Sequence, residues 1–213
     1  MNLSGIVLCG GRSTRMGFSK AWLPFGPEVL LQRVVRLLSE LVEPVVVVAA
    51  PQQELPELPR EVRVVHDRRE GCGPLEGLHA GLSSLPAQTA TAFVTSCDVP
   101  LLLPAFVRYL HERMGSHDVV VPVDGSLHHP LSAVYRTTVL PHIEELLATD
   151  QFRPVFLYER VKTLRIPVSE LRDVDPCLDS LANLNHPHDY AAALERAGFT
   201  VPHDVASRLR GTS

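Results

Sequence analysis

The residues best equipped to handle phosphate are crowded into one segment, Leu8-Cys9-Gly10-Gly11-Arg12-Ser13-Thr14-Arg15-Met16-Gly17-Phe18-Ser19-Lys20. Glycines let a backbone come close to an anion and adopt φ > 0, and successive N–H groups in such a turn form a concave nest. Ser13 and Thr14 add hydroxyls, Arg15 offers a planar fork for phosphate oxygens, and Lys20 supplies a mobile point charge. The Walker loop's Gly-Lys-Ser/Thr ending is absent, and so is the dinucleotide pattern G-x-G-x-x-G. The segment is therefore either a phosphate loop of another kind or a plain glycine-rich connector with solvated cations.

Acids and amides that could complete a site lie farther along. The apolar run Ala92-Phe93-Val94-Thr95-Ser96-Cys97 stops on Asp98, just before Val99-Pro100. One hard carboxylate plus substrate phosphates is a usual way to hold Mg2+, although an Asp in this position can also simply cap a turn. Asp67 precedes Gly71-Cys72-Gly73-Pro74-Leu75-Glu76-Gly77-Leu78, a glycine-rich opening to a helix, where it can line a site or cap the turn. His128-His129-Pro130 leads into a strand. Neighbouring side chains on an extended chain point apart, which disfavours a two-His metal site. Asn183 and Asn185 would share one side of an extended segment, where their amides could hold a metal-bound water or a phosphate oxygen, or else form the turn that caps the last helix.

Positioning these groups requires a frame, and the sequence supplies alternating short β-branched runs and segments of helical period. Strands are expected at Ser4 to Leu8, Pro44 to Ala49, Arg63 to His66, Ala92 to Ser96, Asp118 to Pro122, Ser132 to Tyr135 and Lys162 to Ile166. Their near-continuous apolar character implies burial on both faces of a mostly parallel sheet. Helices are expected at Val29 to Leu41, Leu75 to Leu85, Pro104 to Met114, Thr137 to Thr149 and His188 to Ala197. The proline-rich stretch Pro51 to Pro59 reads as a loop, and the chain after Gly198 as a polar, frayed tail. The fold class is thus α/β, a three-layer Rossmann-like arrangement, with one domain over residues 1–197 and a tail over 198–213. The glycine-rich segment begins where the first strand ends, at the sheet edge where open α/β folds bind ligands.

Composition narrows the function. A chain of 213 residues, 45% hydrophobic, can bury a core without disulfides or a structural metal. Cys9, Cys72, Cys97 and Cys177 show no metal-ligand spacing and read as reduced thiols. A net charge of −4 gives no basic stripe for nucleic acid. No apolar run approaches the ~20 residues of a membrane span, and no signal segment is recognisable, so a cytoplasmic location is expected.

Taken together, these motifs resemble the molybdenum cofactor guanylyltransferase family, within the wider group of nucleotide-sugar-type transferases. That family begins L-x-G-G-x-S-x-R-M-G-x-D-K, matched here at Leu8, Gly10, Gly11, Ser13, Arg15, Met16, Gly17 and Lys20, with Ser19 in place of the usual Asp. C-D-x-P is matched at Cys97, Asp98 and Pro100, G-P-L-x-G at Gly73, Pro74, Leu75 and Gly77, and N-x-N-T-P at Asn183, Asn185 and Pro187, with His186 replacing Thr. An Asn that the family carries after its second strand is Ala50 here.

The resemblance implies a nucleotidyltransferase that moves GMP from GTP to molybdopterin or Mo-molybdopterin, releasing pyrophosphate. It implies nucleotide binding by Leu8, Cys9, Gly10, Gly11, Ser13, Lys20, Asp67, Gly73, Pro74, Leu75, Gly77 and Asp98, and catalysis by Lys20, Arg15 and Asp98. Asp98 would hold Mg2+, while His129, Pro130, Asn183 and Asn185 would face the acceptor. Relatives that transfer CMP carry L-x-A-G, so Gly11 favours guanine. A GTP-binding accessory protein and molybdoenzyme chaperones are the implied protein partners. CMP transfer to molybdopterin or another phosphorylated acceptor, and a non-catalytic nucleotide-binding regulator, are the competing readings.

Overall fold

The computed structural model describes residues 3–10, 19–67, 73–203 and 205. The elements run β1 (Ser4–Leu8), a 3-10 turn (Lys20–Trp22), β2 (Pro24–Phe25), β3 (Glu28–Val29), α1 (Leu30–Ser39), β4 (Val45–Ala49), β5 (Arg63–His66) and α2 (Gly73–Ser83). There follow β6 (Thr91–Ser96), α3 (Pro104–Glu112), β7 (Val119–Asp124), β8 (Leu127–His128), β9 (Ser132–Arg136), α4 (Leu140–Ala148) and α5 (Val155–Tyr158). The chain continues through β10 (Thr163–Pro167), α6 (Val168–Leu171) and α7 (Pro187–Arg196).

Val45-Val46-Val47-Val48-Ala49 has no polar side to turn to water, so as a strand it must be covered on both faces, and all five residues are buried. The main sheet runs β10-β7-β9-β6-β1-β4-β5, with β8 paired to β7. It is mostly parallel; β9 runs antiparallel to both β6 and β7. On one face the strands pack against apolar stripes of α1, α3 and α6, including Leu31, Val34, Leu38, Phe106, Leu110 and Leu171. On the other they meet α2, α4 and α5 through Leu75, Leu78, Leu82, Ile143, Leu146 and Leu157. Each such side chain contributes about 1.5–3 kcal/mol of burial. No described helix is long and apolar enough to cross a membrane.

Two features of this frame position the site. From β1 the chain proceeds outward through β4 and β5, then returns to place β6 on the opposite side of β1, so the strand order reverses between β1 and β6. Such a reversal opens a crevice at the carboxyl edge, and Gly10 and Asp98 leave the sheet on its two sides. Secondly, Gly77 and Gly81 form a side-chain-free ridge on α2. A Cβ at Gly81 would stand 2.6 Å from Ile6 Cγ2, and one at Gly77 3.2 Å from Leu8 Cδ1. The ridge lets α2 lie close against β1, with its amino terminus at the same edge.

Three expectations need correction. β5 was expected to be buried on both faces, but it is the outer strand of the sheet and is largely exposed, with Val64 open to solvent. The chain beyond Gly198 does not fray at once: Phe199 packs edge-on against Phe25 at 5.8 Å, and Val205 is buried with α7. Val29, expected to open the first helix, instead closes the hairpin β2–β3, which is turned by Gly26 at φ 65°.

Candidate active site

Lys20 opens a short 3-10 turn whose backbone is set by the Trp22 N–H donating to the Ser19 carbonyl at 3.0 Å. That turn aims the ammonium across the crevice, where it donates to Asp98 Oδ2 at 2.6 Å and Asn185 Oδ1 at 2.9 Å. Asp98 is buried, and its other oxygen accepts from Asn183 Nδ2 at 2.9 Å and Ser96 Oγ at 2.5 Å. The Leu184 N–H donates to the Asp98 carbonyl at 3.0 Å, which pins the Asn183–Asn185 segment to the end of β6. Asp189 holds the far side by accepting the Asn185 and His186 N–H groups at the start of α7. Residues 78 and 165 positions away from Lys20 thus meet on one ammonium.

Asp67 follows β5 at the other flank of the crevice. Its carboxylate lies beside both Gly10 and Gly77, where a Cβ would come within 3.1 and 3.3 Å of its oxygens. Oδ1 is buried without a hydrogen-bond partner. Burial, reinforced by the nearby Glu76 charge and opposed by His66, pushes the Asp67 carboxyl up to about 6. Gly73 holds φ 71° at the head of α2, followed by Pro74 and the buried Leu75.

One strand beyond β6, the turn carrying His129 and Pro130 is fixed by backbone bonds from the His129 N–H to the Pro122 carbonyl and from the Ser132 N–H to the His129 carbonyl. Tyr135 Oη donates to the Pro130 carbonyl at 2.9 Å and lies 3.0 Å from Tyr158 Oη. The His128 ring lies tilted against Tyr158, with centroids 5.1 Å apart, and receives a hydrogen bond from Arg165 Nε. Burial holds the half-buried His129 imidazole below its ordinary pKa, with Asp124 opposing and His128 assisting. At neutral pH His129 is therefore an uncharged hydrogen-bonding group.

Gly11, Ser13 and Arg15 lie outside the described residues. Leu8 and Cys9 are buried, and Cys9 and Cys97, far apart in sequence, are adjacent across β1 and β6. Cys9, Cys97 and Cys177 are free thiols. Sequence reasoning missed Ser96 and Gln53. Ser96 lies two residues before Asp98 on the same strand face, a spacing that could have exposed it. Gln53 belongs to a loop whose prolines drew the attention; its amide accepts the Ala50 N–H at 2.9 Å and donates to the Cys9 carbonyl at 3.2 Å.

The donor set suits a magnesium triphosphate. Among the described residues no cluster of three or more His, Cys, Asp or Glu side chains could cage a metal. Asp98 instead offers one hard carboxylate in a crevice bordered by a cation, which fits an ion that retains water and takes further ligands from phosphates.

Known proteins show the same organisation. A protein from Pelotomaculum thermopropionicum named probable molybdenum cofactor guanylyltransferase is 34% identical over 193 residues, 91% of this chain and 92% of that one. A protein of the same name from Methanosarcina acetivorans is 36% identical over 87% of each chain. The crystal structure of molybdopterin-guanine dinucleotide biosynthesis protein A from Archaeoglobus fulgidus aligns over 92% of this chain and 99% of that one, with a TM-score of 0.76 and 23% identity. The 2-C-methyl-D-erythritol 4-phosphate cytidylyltransferase of Thermus thermophilus aligns over 93% and 100%, with a TM-score of 0.69 and 15% identity. These two likenesses establish the shared fold. Residues 5–163 match the family described as the MobA-like NTP transferase domain. With that match over most of its length and relatives more than a third identical, the chain belongs to the MobA-like NTP transferase family of nucleotidyltransferases.

Proposed function

We propose that this chain transfers GMP from GTP to molybdopterin or its Mo-bound form, giving the guanine dinucleotide and pyrophosphate. The observation that carries this reading is the convergence of Lys20, Asp98, Asn183 and Asn185 at the strand-order reversal between β1 and β6. GTP is preferred over CTP because the two relatives described above are named probable molybdenum cofactor guanylyltransferases and because Gly11 has no methyl group. The reaction would take place in the cytoplasm.

In this reading a terminal phosphate oxygen of the acceptor attacks the α-phosphorus in line. One P–O bond forms to that oxygen while the bond to the departing pyrophosphate breaks. A phosphate monoester has its second pKa near about 6, so the attacking oxygen is already anionic at neutral pH and no side chain must act as base. The protein's work is to orient the partners and neutralise charge. Lys20, together with Arg15, would stabilise the phosphate oxygens, and the N–H groups from Gly10 to Ser13 would hold the pyrophosphate. Asp98, oriented by Ser96 and Asn183, would hold Mg2+, which supplies charge neutralisation on the triphosphate and polarises its α-phosphoryl group. On the β7–β9 side, neutral His129 would donate to or accept from the acceptor without adding charge.

The test is pyrophosphate release from each of the four NTPs with molybdopterin present, for the wild type and Asp98→Asn. The account expects release from GTP well above the other nucleotides, and a loss of about 10²-fold or more in the variant, whose amide keeps the shape but loses the charge and turns one acceptor oxygen into a donor. Near-normal turnover of Asp98→Asn would remove Asp98 from the metal role.

A further inference from the structure

Gln53 stands in the loop between β4 and β5, yet its side chain spans two strand ends. Its Oε1 accepts the Ala50 N–H at the end of β4, and its Nε2 donates to the Cys9 carbonyl at the end of β1 and approaches Cys9 Sγ at 3.6 Å. The next residue of the same loop grips the other end of the glycine-rich segment, since Trp22 Nε1 donates to the Glu54 carbonyl at 3.0 Å. Gln32 of α1 in turn fixes the loop by donating to the Glu57 carbonyl. Residues 51–59 therefore tie together the entrance and exit of the phosphate loop.

The bond to Cys9 has a directional consequence. The Leu8 carbonyl points toward β6, accepting the Cys97 N–H, while the Cys9 N–H points toward β4, donating to the Val48 carbonyl. The Cys9 carbonyl, held by Gln53, continues on the β4 side. The peptide joining Cys9 to Gly10 is trans, so its N–H points opposite to its carbonyl. The Gly10 N–H is thereby aimed toward β6, into the crevice bounded by Asp98. Ala50, which stands where the resembled family carries an Asn, has no side-chain amide to contribute.

We infer that Gln53 is a positioning residue for nucleotide binding, fixing the peptide between Cys9 and Gly10 so that the Gly10 N–H is presented to the phosphates. The inference rests on the functional reading above, in which this crevice takes the triphosphate. Gln53 stands among the β1 and β4 ends rather than near His129, so its effect falls on the nucleotide and not on the acceptor.

The test uses the full chain and two variants, Gln53→Met, which keeps the bulk but not the amide, and Gln53→Ala. The Kd for GTP in the presence of Mg2+ is measured by calorimetry, beside kcat and the KM of each substrate. Loss of one hydrogen bond's worth of orientation should weaken GTP by about threefold to tenfold in both variants. The molybdopterin KM and kcat should stay within about twofold. Amide exchange on the wild type gives an independent readout: GTP should slow exchange at Gly10. GTP affinity within twofold of wild type in folded variants would overturn the assignment. So would equal losses in both substrates accompanied by a lowered melting temperature, or Gly10 exchange indifferent to GTP. A wild type that binds no GTP would overturn the functional reading and this inference together, whereas tight wild-type binding with unaffected variants defeats only the role of Gln53.

Discussion

Lys20 and Asp98 illustrate how a binding site can be kept charge-balanced without being collapsed. The pair is largely out of water, and removing either charge would strand the other in a poorly solvated place. Asn183, Asn185 and Ser96 bond the same two groups through neutral polar atoms, which lets the pair separate to meet a phosphate and a cation without either losing every partner. Asp67 differs, because it has a buried oxygen with no partner and a carboxyl raised from 3.8 to about 6. The native chain holds that proton more tightly than the unfolded one does, so ionising Asp67 costs stability. The cost is absent below about pH 4, grows through pH 6 and is constant above it. Asp67→Asn should accordingly melt higher than the wild type at pH 7.5, with the advantage gone at pH 4. Thermal melts at the two pH values check this, and an equal offset at both would contradict it. Asp98 was legible in the sequence because it is a charged residue placed just after a buried strand, and Lys20 because it closes the glycine-rich segment that follows β1. Their bonds to Asn185 and Asn183 were not, since contacts across the length of a chain leave no local spacing.

Among the elements, α2 decides how the sheet edge beside Asp67 is built. Glycines at positions 73, 77 and 81 lower the intrinsic helix propensity of this segment. In the fold Gly77 and Gly81 stand against Leu8 and Ile6, and a methyl at Gly81 would lie only 2.6 Å from Ile6 Cγ2. Gly81→Ala keeps the better helix former but forces its methyl into Ile6 Cγ2, so overpacking should outweigh propensity. A net destabilisation of about 1–3 kcal/mol is expected in denaturant melts; a stabilised variant would show that α2 does not lie against β1 as described. The strands were legible from their β-branched runs, because burial on both faces leaves no polar alternation. The direction of β9 was not, since Ser132-Ala133-Val134-Tyr135 reads alike in either sense. The hairpin β2–β3 was too short to show a period, and the edge position of β5 depends on strand order, which composition does not record.

Across the whole molecule, a chain of net charge −4 sets the Lys20 ammonium in one crevice, while other described cations such as Arg36, Arg160 and Lys162 lie on the surface elsewhere. The strand-order reversal between β1 and β6 places that crevice, α2 and Asp67 border it on one side, and the His129 turn and Asn183–Asn185 border it on the other. In the proposed reading, nucleotide and acceptor would approach from opposite flanks of this sheet edge, as an in-line displacement requires. The general layout was readable because each motif follows a predicted strand at the same edge; the division of that edge into two flanks required the topology. The most direct measurement is mass spectrometry of the product formed when the purified chain is given GTP, Mg2+ and molybdopterin. The account predicts molybdopterin enlarged by one GMP, with an equal amount of pyrophosphate. Unmodified molybdopterin, or a cytidylyl adduct formed preferentially when CTP is also supplied, would contradict it.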